Sequence, residues 1–166
     1  MSIHDEATTR RRLSLEEAIT QVTQYFGFDG RREIEVDGEV FEVRAKVLWT
    51  PEQSAEMAKL DDWLKTLDHE DVEVRNPLTN EIIVHPGTNE PLTDKQLVTP
   101  HRKNGKPVSP SFETRYLAAL WGEDKAKRFE AAGGTYGLVS MIMAQMDDEF
   151  SQWRKNRDQR GDSKSD

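Results

Sequence analysis

Six apolar side chains near the C-terminal end of the chain are spaced as one side of a helix. Val139 is followed by Ile142, Met143, Met146, Phe150 and Trp153, at offsets of 3, 4, 7, 11 and 14 residues. Such offsets place a single stripe along a helix, and the stripe has to be buried. No other apolar-periodic run in the chain is as long, so it constrains the fold most. It predicts a helix from about Thr135 to Trp153, entered through the break Gly133-Gly134. Just upstream, Ser109-Pro110 reads as a helix cap and a first-turn proline. Phe112, Tyr116, Leu117, Leu120 and Trp121 form the apolar face of that helix, and Gly122 ends it. A short helix follows over 123–132, with Phe129 turned inward. Residues 109–153 are thus a helical block and the largest share of the expected core.

The N-terminal half has a different grammar. Ser14 and Glu17 have the spacing of a capping box, which starts a helix whose face is Leu15, Ala18, Ile19, Val22, Tyr25 and Phe26, with Gly27 at its end. The alternating run from Glu33 to Val43 is divided by Asp37-Gly38, a strong hairpin signal. A two-residue turn puts Ile34, Val36, Phe41 and Val43 on one face and Glu33, Glu35 and Glu42 on the other. The second strand is expected to continue through Ala45, Val47 and Leu48. Thr50, Pro51 and Gln53 then open a second helix, whose stripe is Met57, Leu60, Trp63, Leu64 and Leu67 and whose end falls near Asp68-His69.

Between 71 and 109 the periodicity fades. Five of the seven prolines fall there. A second short hairpin can be read around residues 76–80, between Val72–Val74 and Ile82–Val84. The rest, to Pro107, reads as irregular and contains the basic group His101, Arg102, Lys103 and Lys106. No internal repeat is evident. The expected fold class is α+β: mostly helical, with one N-terminal β-hairpin, an irregular middle and a C-terminal helical block. The expected organisation is a flexible arm over 1–12, a single domain over 13–153 with an irregular segment at 71–109, and a disordered charged tail over 154–166.

Chemistry-bearing patterns are sparse. The four histidines share no metal-ligand spacing, there is no cysteine, and no nucleophile elbow, phosphate loop or dinucleotide fingerprint occurs. The expectation is no catalytic residue, no metal and no cofactor. One dispersed enzyme site is conceivable, if folding gathered His85, His101 and Glu113. With 23 Lys and Arg against 31 Asp and Glu, the net charge of −8 argues against a nucleic-acid partner. No apolar run reaches bilayer length, so no membrane partner is expected. Off the main stripe, Leu138 and Met141 make a second apolar edge on the last helix. With Ile142 and Met146 they are the candidate partner-binding residues, an edge that would serve as a subunit interface, with core packing as the favoured alternative reading.

The order of features resembles a known family. It runs from Tyr25 through Asp37-Gly38 to Val43. It continues with Leu97-Val-Thr-Pro-His-Arg-Lys-Asn-Gly-Lys-Pro107 and Arg115-Tyr-Leu-Ala-Ala-Leu-Trp-Gly-Glu123. It closes with Arg128-Phe-Glu-Ala-Ala-Gly-Gly134 and Met143-Ala-Gln-Met-Asp-Asp-Glu-Phe150. The chain resembles, from about Leu13 to Phe150, the tail assembly chaperones of long-tailed phages that infect actinobacteria. The resemblance implies a non-enzymatic protein that binds the tape-measure protein and helps the major tail tube protein polymerise around it. It implies a place in the host cytoplasm during assembly and absence from the mature virion. It also implies a second, longer product made by programmed frameshifting near the end of the reading frame. The alternative is a structural virion protein such as a head–tail connector or tail terminator.

Overall fold

The computed structural model describes residues 13–26 and 29–162. The arm over 1–12, with its three arginines, and the expected cap at Gly27 lie outside the described residues. The fold is α+β. Its elements are α1 (Leu15–Phe26), β1 (Arg31–Val36), β2 (Glu39–Arg44), a 3₁₀ turn (Lys46–Leu48), α2 (Pro51–Leu64), β3 (His69–Glu73), β4 (Thr93–Leu97), β5 (Arg102–Lys103), β6 (Lys106–Pro107), α3 (Phe112–Trp121), α4 (Glu123–Ala131) and α5 (Tyr136–Asp162). The chain divides into two compact units. One comprises the described residues within Met1–Ile34, Glu42–Leu48 and Ser140–Asp166, and the other Glu35–Phe41 and Trp49–Val139.

In the first unit the capping box of α1 is formed. The Ser14 amide donates to Glu17 Oε2 at 2.8 Å, and the Glu17 amide donates to Ser14 Oγ at 3.2 Å. These bonds satisfy two of the amides that a helix start leaves unpaired. They also hold the Glu17 carboxyl below its usual pKa, the Ser14 backbone bond contributing most. Leu15 departs from the expected face and is 68% exposed, while Ala18 and Ile19 are half-buried. The hairpin turn, which belongs to the second unit, has Asp37 and Gly38 at φ of 51° and 80°, the left-handed pair of a type I′ turn. Val43 is buried and Ile34 half-buried, as alternation requires. The strand does not run on to Leu48. β2 stops at Arg44, the chain tightens into the 3₁₀ turn, and Val47 is 57% exposed. Arg31 reaches Glu16 and Glu42, Arg44 donates to Glu42, and Arg32 reaches Glu149 at 2.8 Å.

Met143 and Met146 of α5 are buried in this unit beside the stripe's half-buried Ile142, Phe150 and Trp153. The helix does not fray at Trp153. It runs on to Asp162, within the tail expected to be disordered over 154–166, whose last four residues lie outside the described ones. Two features favour continuation: Phe150 stacks on Trp153 at 5.5 Å, and Arg154 and Arg157 lie over those two rings. Arginine, lysine and glutamine are also good helix formers.

In the second unit α2 packs on α3, and α3 on α4. Met57, Leu60, Leu67, Leu117, Leu120, Ala126, Phe129 and Val139 are buried, together with Phe41. α2 ends at Leu64, four residues short of the expectation, and Leu67 buries itself from the turn beyond. Gln53 has two roles. Its Oε1 accepts the Thr50 amide to close the capping box, and its Nε2 donates to the Leu120 carbonyl at 3.0 Å. Gln53→Glu keeps the first bond, loses the second and sets a carboxylate against the carbonyl end of α3. The expected cost is about 1–2 kcal/mol, read from urea midpoints against wild type. The cap of α3 is Ser111 rather than Ser109, its Oγ accepting the Thr114 amide. α4 closes in a Schellman turn. Gly134 N–H donates to the Phe129 carbonyl and Gly133 N–H to the Glu130 carbonyl, with Gly133 at φ 91°.

The segment over 71–109 is not irregular. β3 pairs antiparallel with β4, from His69 opposite Leu97 to Glu73 opposite Thr93. Within that pair the chain makes two further arms, marked by the bridges Arg75–Ile82 and Val84–Pro91. Beyond it, β5 and β6 form a hairpin on Asn104-Gly105, both residues at positive φ.

Candidate interaction surfaces

The two arms are copies of each other, nine residues apart. Asn76-Pro-Leu-Thr-Asn-Glu81 and His85-Pro-Gly-Thr-Asn-Glu90 share proline, threonine, asparagine and glutamate at matching positions. Their hydrogen bonds match too. Asn76 N–H donates to the Glu81 carbonyl and His85 N–H to that of Glu90, each at 2.8 Å. Asn80 N–H returns to the Asn76 carbonyl and Asn89 N–H to that of His85. The first side chain of each arm accepts an amide two residues on, Leu78 N–H at Asn76 Oδ1 and Gly87 N–H at His85 Nδ1. Asn80 and Asn89 have φ of 59° and 61°, a region asparagine tolerates.

At the base of the arms the same period closes a ring. Val74 N–H donates to the Leu92 carbonyl, Leu92 N–H to that of Ile83, and Ile83 N–H to that of Val74, at 2.8, 2.9 and 2.9 Å. Val74, Ile83 and Leu92 are nine residues apart. Three two-stranded arms therefore meet in a junction whose central amides and carbonyls are paired. Asp68 ties off the third arm. Its backbone bonds Val98 and Arg102, and its carboxylate accepts the Asn104 and Gly105 amides at 2.8 and 2.7 Å. No residue from 68 to 108 is buried. Leu78 is 93% exposed, and Ile82, Ile83, Val84 and Leu92 are between 37% and 40% exposed. The second short hairpin read around residues 76–80 is present as the first arm, but sequence reading missed the second arm and the junction. The repeated Pro-x-Thr-Asn-Glu was its signal, and Asn104-Gly105 was an unused hairpin signal.

The expected partner-binding edge on α5 is only half present. Leu138 is 43% and Met141 65% exposed. Ile142 is half-buried, and Met146 is fully buried and removed from any free surface. The helical period accounts for this, because Met146 lies one turn below Met143 on the buried stripe.

The second unit also has an open crevice of about 290 Å³ lined by Val36, Asp37, Glu39, Phe41, Arg128, Ala131 and Ala132. Arg128 grips Glu39 there with two bonds of 2.9 Å. The Arg128 hydrogen bond holds the Glu39 carboxyl below its usual pKa, and the Glu39 bond raises that of Arg128. His85, His101 and Glu113 are not brought together. His85 accepts within its own arm, the His101 ring lies tilted against Phe112 at 5.4 Å, and Glu113 is exposed in the first turn of α3. Among the described residues no cluster of His, Cys, Asp or Glu could hold a metal ion. No described helix is long and apolar enough to cross a membrane. No protein-family model, no curated protein and no solved structure matches this chain.

Proposed function

We propose that this protein is a non-enzymatic tail assembly chaperone that binds the tape-measure protein in the host cytoplasm. The observation that supports this best is that the arms leave aliphatic side chains exposed, Ile83 and Leu92 on one face, Ile82 and Val84 on the other, and Leu78 at an arm tip. They are carried on arms whose central backbone hydrogen bonds are made internally and whose residues no core consumes. Aliphatic side chains held in water on an ordered scaffold suit the capture of an apolar segment. The net charge of −8 suits keeping the captured segment in solution. The order of motifs from Leu13 to Phe150, which resembles the tail chaperones, supplies the identity of the partner.

The test is co-expression with overlapping tape-measure fragments. At least one fragment should move from the insoluble to the soluble fraction and co-purify. A set in which none changes overturns the reading. Recovery of the protein from purified mature particles would favour the structural virion alternative instead.

A further inference from the structure

The register of the three-armed junction sorts its side chains onto two faces of unlike charge. Paired residues share a face, and alternate residues along a strand return to it. Val74, Ile83 and Leu92, joined by the backbone ring, therefore lie together, and Val72 lies with them through its pairing to Asp94. The same alternation places Glu70, Glu81, Glu90 and Asp94 around these four aliphatic residues. The remaining positions of this face are neutral amides and one histidine, and none is Lys or Arg. Among the described contacts the four carboxylates meet no cation. Glu81 bonds Thr79, and Asp94 accepts the Lys95 amide. The opposite face is compensated: Asp71 is opposite Lys95, and Arg75 reaches Glu73 at 3.4 Å.

We infer that the Val72/Val74/Ile83/Leu92 face docks an amphipathic helix of another protein, one whose aliphatic stripe is bordered by Lys or Arg. The aliphatic centre requires an apolar stripe, and the uncompensated carboxylate rim selects cations beside it. A helix fits better than a strand. The amides and carbonyls at the centre are already spent on the ring, so no main-chain ladder can be added there. The backbone is preformed, so binding orders little of this chain. This inference rests on the reading of the protein as a binding protein, but not on the tape measure being its partner.

The test uses the full chain and two labelled helical peptides with the same leucine stripe, one flanked by lysine and one by glutamate. By fluorescence anisotropy the lysine peptide should bind at least about tenfold more tightly. Glu81→Gln with Glu90→Gln should weaken it about three- to tenfold. The matched pair Glu33→Gln with Glu35→Gln, on exposed positions of β1, should leave it unchanged. Ile83→Ser with Leu92→Ser, verified as folded by circular dichroism, should abolish it. Equal weakening by the two glutamate pairs would reduce the effect to overall charge and overturn the inference. So would equal binding of the two peptides. Sedimentation as a dimer that the serine pair dissociates would assign the face to a second copy of this chain, again overturning it. Peptide binding without tape-measure solubilisation would leave this face standing and refute only the partner's identity.

Discussion

Replacing Phe129 with alanine destabilises the second unit by about 3–5 kcal/mol. Phe129 is fully buried, with its ring 4.9 Å from those of both Phe41 and Trp121, which are themselves 5.3 Å apart. Truncation removes one tilted and one edge-to-face ring contact and the transfer free energy of the side chain together, and α4 cannot collapse freely into the space. The other side of the ring is closed by backbone. A Cβ built on Gly134 would stand 2.5 Å from Phe129 Cε1 and Cε2 and nearer still to Cζ. Gly134→Ala should therefore cost about 1–3 kcal/mol by overpacking, although its backbone angles suit any residue. In a Phe129→Leu background the methyl group gains room. The double mutant should be more stable than the sum of the single losses by about 1 kcal/mol. Urea denaturation followed by tryptophan fluorescence reads all four variants. A Gly134→Ala protein as stable as wild type would show that the Schellman turn and the ring can separate freely.

This cycle also shows what the sequence could and could not disclose. Gly133-Gly134 is legible as a helix break, and Gly133 is needed for its positive φ. That Gly134 is needed for a different reason, contact with a ring five residues earlier, follows only from the turn's three-dimensional closure. Local devices were legible throughout: the Ser14 and Thr50 boxes, the Asp37-Gly38 turn, the buried stripe of α5. Each is decided by residues within one or two turns of one another. The three-armed junction was not, because its ring bonds join Val74, Ile83 and Leu92 across two intervening arms. Its prolines and low apolar content look like a loop when read linearly. The end of α5 failed for the opposite reason. Its composition suggested disorder, but Phe150 and Trp153 give the arginines that follow local partners. Of the expected interaction edge, only Leu138 and Met141 could be separated from the core once burial was known.

Met146→Asp and Met141→Asp, five residues apart on one helix, should behave in opposite ways. Met146 is fully buried in the first unit, where Val43, Ala45 and Met143 are also buried. No buried polar or charged residue is found among the described ones. An ionised carboxylate there has no partner, so burial raises its pKa and charges the folded state several kcal/mol. Against a total stability of about 5–15 kcal/mol, the unit should not fold at neutral pH. The sign of the pH dependence follows from the raised value. The penalty grows as pH rises above the ordinary carboxylate range and shrinks toward that of a neutral polar group below it. Helicity by circular dichroism should therefore recover partly on acidification. Met141 is 65% exposed, and Met141→Asp should stay within about 0.5 kcal/mol of wild type. That makes Met141→Asp, alone or with Leu138→Asp, the variant that separates binding from folding. A folded Met141→Asp protein that still solubilises a tape-measure fragment would remove the α5 edge from the interface and leave the three-armed junction to carry it. Lost solubilisation in the same folded protein would bring α5 into the contact.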